Sequence, residues 1–146
     1  MKPHFLYFYK VIEYFFLINR KNEISVIIQE NINSIDKIIL KMQEIYKTKE
    51  ECCLNYIVNN ESIKPKIAEL ISSAYKDKLI SEESSDNFAH ELYEFRNSIA
   101  HGKGDSGYTL KLPSVLKQDI KLICWNSLMQ DFALICINEF CYDNSL

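Results

Sequence analysis

The chain has 146 residues, of which 47% are apolar and 12% aromatic, with a formal net charge of −3. Those values fit one folded domain and exclude an intrinsically disordered chain. They also exclude an overall basic surface for nucleic acid, so any RNA contact has to come from a local patch.

The elements follow from apolar spacing. Phe5, Phe8, Tyr9, Ile12, Phe15 and Phe16 recur at three and four residues and predict a first helix from about Pro3 to Arg20. Its run "FLYFYKVIEYFFLI" is too short, and too interrupted by Lys10 and Glu13, to span a bilayer. It is also followed by no small-residue cleavage site, so no membrane role is expected of it. A second helix is predicted from about Glu23 to Lys47. Its stripe is Ile24, Ile27, Ile28, Ile35, Ile38, Ile39, Met42, Ile45 and Tyr46, where the period outweighs the β-branched content. "EECCLNYIVNN" reads as a brief helix and a loop. A further helix is expected from about Lys64 to Lys78, with Ser62 as its cap, Pro65 in its first turn, and Ile67, Leu70, Ile71 and Ala74 inward.

"SEESSDN" offers caps for the next helix, whose stripe is Phe88, Leu92, Phe95 and Ile99 and which stops near Gly102. All three glycines fall in "GKGDSGYTLKLP", the clearest loop, with Tyr108–Leu112 briefly extended. Pro113 opens a last long helix with Val115, Leu116, Ile120, Ile123, Trp125, Leu128, Phe132, Ile135 and Phe140 as its apolar positions. No repeat or interdomain linker divides residues 1–146. The expectation is a single all-α domain, an up-and-down bundle of four to five long helices. The five cysteines have no C-x-x-C spacing and suggest no metal site; buried reduced thiols in a cytoplasmic protein are expected.

Chemistry concentrates at "LYEFRNSIAHGK". His101 can exchange a proton near neutral pH, and Arg96 can hold a phosphodiester through two parallel hydrogen bonds. Asn97 would orient either group, since it shares a helix face with His101, four residues on. Arg96 and His101 are five residues apart, about 140° around an ideal helix. They converge where the helix ends, and Gly102 offers that end. A plainer reading stands beside this one. Arg96 would pair with Glu91, Glu94 or Asp105 on a solvated face, and His101 would sit where a helix C-terminus welcomes a cation. Tyr7, Tyr9 and Tyr14 could stack bases, although aromatic stripes at helical spacing more often face a core. His4 and His90 read as incidental and as a surface residue. "GKGDSG" lacks the preceding strand and the spacing of a phosphate loop.

"LYEFRNSIAHG" resembles the signature of HEPN (higher eukaryote and prokaryote nucleotide-binding) domains: an Arg, four to six residues, then a His, commonly with a polar residue after the Arg. Arg96, Asn97 and His101 fit the four-residue form. "FYKVIEYFF" is similar to the opening helix of Apea-like HEPN proteins, and the all-helical order extends the likeness over nearly the whole chain. Larger Apea-like proteins carry an additional N-terminal region not found in this sequence.

The resemblance implies a metal-independent endoribonuclease without cofactors. Arg96 and His101 would be catalytic, Asn97 supporting, and Lys103 would add to RNA binding. It implies a homodimer that joins two motifs in one cleft, and a place in phage defence or a toxin–antitoxin system, with an antitoxin or defence partner. The alternative is a non-catalytic HEPN-like module for dimerisation, sensing or immunity that binds a protein or nucleotide.

Overall fold

A computed structural model describes residues 2–100 and 112–141, all helices and connecting turns. In chain order the helices are α1 (Lys2–Ile18), α2 (Lys21–Glu30), α3 (Ile35–Tyr46), α4 (Glu50–Val58), α5 (Ala68–Lys76), α6 (Ser85–Ala100) and α7 (Leu112–Cys141). The all-α expectation stands. Seven helices among the described residues replace the expected four or five, because one predicted helix is broken in two and the brief segment after it is a full element.

The core lies where α1 packs along α7, α4 packs against α6, and α5 fits against both α6 and α7. The first helix buries Phe5, Tyr9, Ile12 and Phe15 along one stripe. Phe88 and Leu92 of α6 are fully buried, with Phe95 and Ile99 packed at the edge of the same core. Aromatic contacts run through these layers. Phe5 meets Phe95 edge-on at 5.2 Å between centroids, Phe95 stacks on Trp125 at 5.8 Å, and Phe88 touches both Trp125 and Phe132. Each large apolar side chain removed from water contributes roughly 1.5–3 kcal/mol before entropy is counted.

The inward face of α7 matches the expected positions in part: Trp125, Leu128 and Phe132 are buried and Ile135 and Phe140 pack against the core. Leu122, Met129, Ala133 and Cys136 are buried as well, whereas Ile120 and Ile123 are exposed. Ile120–Cys141 is long and apolar enough to cross a membrane by length and composition, with 39% of its most apolar window buried in the fold. Leu112, expected to end an extended stretch, already belongs to the helix. The side chains of Val115 and Leu116, and residues 101–111 with most of the predicted loop, lie outside the described residues.

The predicted helix over Glu23–Lys47 is two helices. Asn31 turns its amide back on the Ile27 carbonyl at 2.9 Å, and the Ser34 N–H donates to the Asn31 carbonyl at 2.8 Å. Ser34 itself is extended, at φ −141° and ψ 90°. Short polar side chains that compete for backbone groups explain the break. The chain reverses there, so α2 and α3 form a hairpin. Arg20 clamps its root, bonding Glu23 through two nitrogens at 2.8 Å and Thr48 Oγ1 at 2.9 Å, with its guanidinium 5.0 Å from the Tyr56 ring centre.

Helix α5 starts at Ala68, four residues later than expected. Ser62 is no cap: Asn60 Oδ1 accepts the N–H groups of Ser62 and Ile63 and holds residues 60–67 in turns. Ile67, Leu70, Ile71 and Ala74 are buried as expected. At its end the Leu79 N–H reaches the Ala74 carbonyl at 2.9 Å and the Lys78 N–H the Tyr75 carbonyl at 3.1 Å, with Lys78 at φ 59°. That is a Schellman closure with a lysine where glycine is usual.

Helix α6 is started by Ser84, whose Oγ accepts the Asn87 N–H at 3.1 Å. Asp86 Oδ1 accepts from Asn55 and Asn59, and Ser85 donates to Asn59 Oδ1, a polar tie that fixes α6 against α4.

Candidate functional site

Packing of Phe95 and Ile99 into the core sets the rotation of α6 and leaves Arg96 at the seam between α1 and α4. The Arg96 side chain is only 18% exposed. Its Nη2 lies 3.6 Å from Glu13 Oε1 on α1, and its Nε lies 3.5 Å from Glu50 Oε1 at the start of α4. Nη1 donates to Asn97 Oδ1 at 3.2 Å, and the guanidinium stands 5.4 Å from the centre of the Tyr9 ring. Glu13 is shared, since its other oxygen lies 3.1 Å from Lys10 Nζ.

This geometry corrects the solvated-face reading of Arg96. Its ion pairs cross to other helices, and Glu91 and Glu94 form none with it among the described residues. Both members of the Nε/Nη2 fork point at carboxylates. A phosphodiester seeking the bidentate hold that Arg offers would displace Glu13 or Glu50, or use the Nη1 side next to Asn97.

Among the described residues, Tyr9 Oη, Glu50 Oε1 and Arg96 Nε are buried without a well-aligned hydrogen bond, although the Glu50 carboxylate lies close enough to the Tyr9 phenol to favour its protonated form. The Glu50–Arg96 pair is thus electrostatic contact without hydrogen-bond alignment, which weakens it relative to a fork-to-fork pair. Burial first, and then the Glu50 charge, push the Tyr9 phenol well above the ordinary tyrosine range. Tyr9 therefore stays neutral and acts as a floor beneath Arg96. It is 1% exposed and offers no surface on which a base can stack, whereas Tyr7 and Tyr14 stand largely in solvent.

Of the residues singled out from the sequence, Arg96 and Asn97 are adjacent and hydrogen-bonded. His101 and Lys103, with Gly102 and Asp105, lie outside the described residues. His90 is exposed, with Nδ1 2.6 Å from Glu51 Oε1, and that bond raises its pKa. It ties α6 to α4 at the surface, as a surface role anticipates. His4 is exposed. The cysteines differ from expectation: all five are free, but only Cys136 is buried, and burial pushes its thiol up to about 12. Cys52 and Cys141 are exposed.

Sequence reading missed Glu13 and Glu50. Glu13 was visible only as a charge interrupting an aromatic run. It lies four residues after Tyr9, hence on the same face of α1. Nothing near Glu50 in the sequence points to Arg96, because the two are brought together by the packing of α4 on α6.

No protein-family model matches the chain, and neither curated proteins nor solved structures give a significant match.

Proposed function

We propose that the chain is a HEPN-type, metal-independent endoribonuclease. The reading is carried by the Arg96-Asn97-x-x-x-His101 sequence motif, whose Arg96 and Asn97 lie on the last turns of a core-anchored helix, with Arg96 held between Glu13, Glu50 and Asn97. A guanidinium fixed in this way loses little entropy when it meets a phosphodiester.

In the proposed reaction the RNA 2′-hydroxyl attacks the adjacent phosphorus. A histidine takes its proton, the bond to the 5′-oxygen breaks, and a second histidine protonates that leaving oxygen. The products are a 2′,3′-cyclic phosphate and a 5′-hydroxyl. Arg96 offsets the charge that builds on the phosphoryl oxygens. One chain supplies a single His101, so acid and base together call for two copies of the motif in one cleft. RNA is the substrate and a homodimer the working unit. Phage defence or a toxin–antitoxin system, with its partner protein, is the setting proposed for it, in the cytoplasm.

The test is cleavage of RNA in EDTA by the wild type and by His101→Ala. Activity in the wild type alone is expected. Equal activity in both overturns the assignment, and loss of wild-type activity on chelation replaces it with a metal-dependent one.

The two carboxylates on Arg96 favour a second reading, a non-catalytic HEPN-like module. There Arg96 serves as a tie between α1, α4 and α6, and the chain binds a protein or nucleotide. Expression separates the two: a ribonuclease impairs growth and its His101→Ala form does not, whereas the module is harmless in both forms.

A further inference from the structure

The hairpin of α2 and α3 is unlike the rest of the molecule. No residue of α2 is buried, and in α3 only Ile45 is. Among the described residues the hairpin's main packing is between its own two helices. Helices of 10 and 12 residues are marginal in water unless an apolar face is covered. Here that face is left open. Ile28 is 45% exposed, Ile32 69%, Ile35 70%, Ile39 48% and Tyr46 68%.

These side chains share a side. Ile35, Ile39 and Tyr46 fall within about 40° of one another around α3. With Ile27, Ile38 and Ile45 turned toward the hairpin interior, the same geometry puts Ile28 beside them and Ile32 at the turn. Together they leave on the order of 600 Å² of apolar surface open, at the upper end of what a monomer displays. With a polar rim, that approaches the roughly 800 Å² each partner contributes to a stable interface.

Charge says what covers it. At the tip, residues 30–37 carry Glu30 and Asp36 against Lys37, a net −1. At the root, residues 44–49 carry Lys47 and Lys49 against Glu44, a net +1. None of these six has an ion-pair partner among the described residues. A surface that is apolar along its length and opposite in sign at its ends complements itself when turned end for end.

We infer that the α2–α3 hairpin is a self-association surface, on which the hairpin of a second copy lies antiparallel, tip to root, to close a four-helix bundle. The two copies are related by a two-fold axis, so each residue meets its complement twice. This contact is separate from the Arg96 seam and does not rest on the ribonuclease reading.

The test is the mass of the full chain in solution, by sedimentation or light scattering. The double variant Ile35→Glu/Ile39→Glu is expected to halve the wild-type mass, whether the wild type is a dimer or a larger assembly closed through a further contact. Both positions are exposed, and unchanged Trp125 fluorescence checks that the core is intact. A monomeric wild type at about 100 μM, well above the micromolar range of weak specific pairs, overturns the inference and points to a different protein as occupant. An unchanged mass in the folded variant overturns it too. In a second experiment, Glu30→Lys/Asp36→Lys lowers association, and adding Lys47→Glu/Lys49→Glu to the same chain restores it. Failure to restore it overturns the antiparallel pairing.

Discussion

Arg96 carries its charge between two carboxylates at a seam that is less than a third exposed. Removing it leaves Glu13 and Glu50 without their shared counter-charge, so Arg96→Ala is expected to destabilise the fold by about 1–3 kcal/mol, below the cost for a fully buried pair. Adding Glu13→Gln and Glu50→Gln to that variant should recover part of the loss in urea unfolding. Additive losses would mean instead that Arg96 acts by packing over Tyr9. The same coupling makes Arg96 a poor position at which to judge catalysis, since its loss disturbs fold and chemistry together. Catalysis is therefore judged at His101, the proton-transfer group of the proposed reaction.

Among the elements, α5 and the α2–α3 hairpin show opposite uses of a chain reversal. The closure of α5 places Lys78 in the left-handed region, which costs a residue with a Cβ about 1 kcal/mol or more relative to glycine. Lys78→Gly is therefore expected to stabilise the protein by roughly 0.5–1 kcal/mol, read as a higher urea midpoint with unchanged slope. A lower midpoint would show that the lysine side chain makes up for the strain. The hairpin turn at Asn31–Ser34 reverses the chain without drawing the two helices into the core. The stripe from Ile24 to Tyr46 was legible as helical spacing. Where it breaks depended on three short polar side chains in four residues, a weaker signal than the period on either side.

For the whole molecule, the core and the hairpin are different cooperative neighbourhoods. Trp125, the only tryptophan, is 1% exposed between Phe88 and Phe95 and reports the core alone. At low protein concentration the far-UV helix signal is expected to fall at lower urea than Trp125 fluorescence, because the uncovered hairpin opens first. Raising the concentration should bring the two transitions together. Coincident transitions at every concentration would make the hairpin part of the core's single unfolding unit.

The sequence by itself determined the helical class, the inward stripes of α1 and α6, and the inward residues of α5. Each of these rests on neighbours three or four residues apart, and such spacing survives whatever the rest of the chain does. It did not fully determine which face of α7 is core: apolar residues lie nearly all round that helix, and only the packing of α1, α5 and α6 selected Leu122, Met129 and Cys136 over Ile120 and Ile123. Nor did it reveal that Glu13 and Glu50 hold Arg96. Those contacts join positions 83 and 46 residues apart, and a long-range ion pair leaves no periodic trace in a sequence. The tertiary structure also separated the apolar surface that folds the core from the stripe left open on the hairpin, because burial depends on what packs opposite a residue and not on the residue alone.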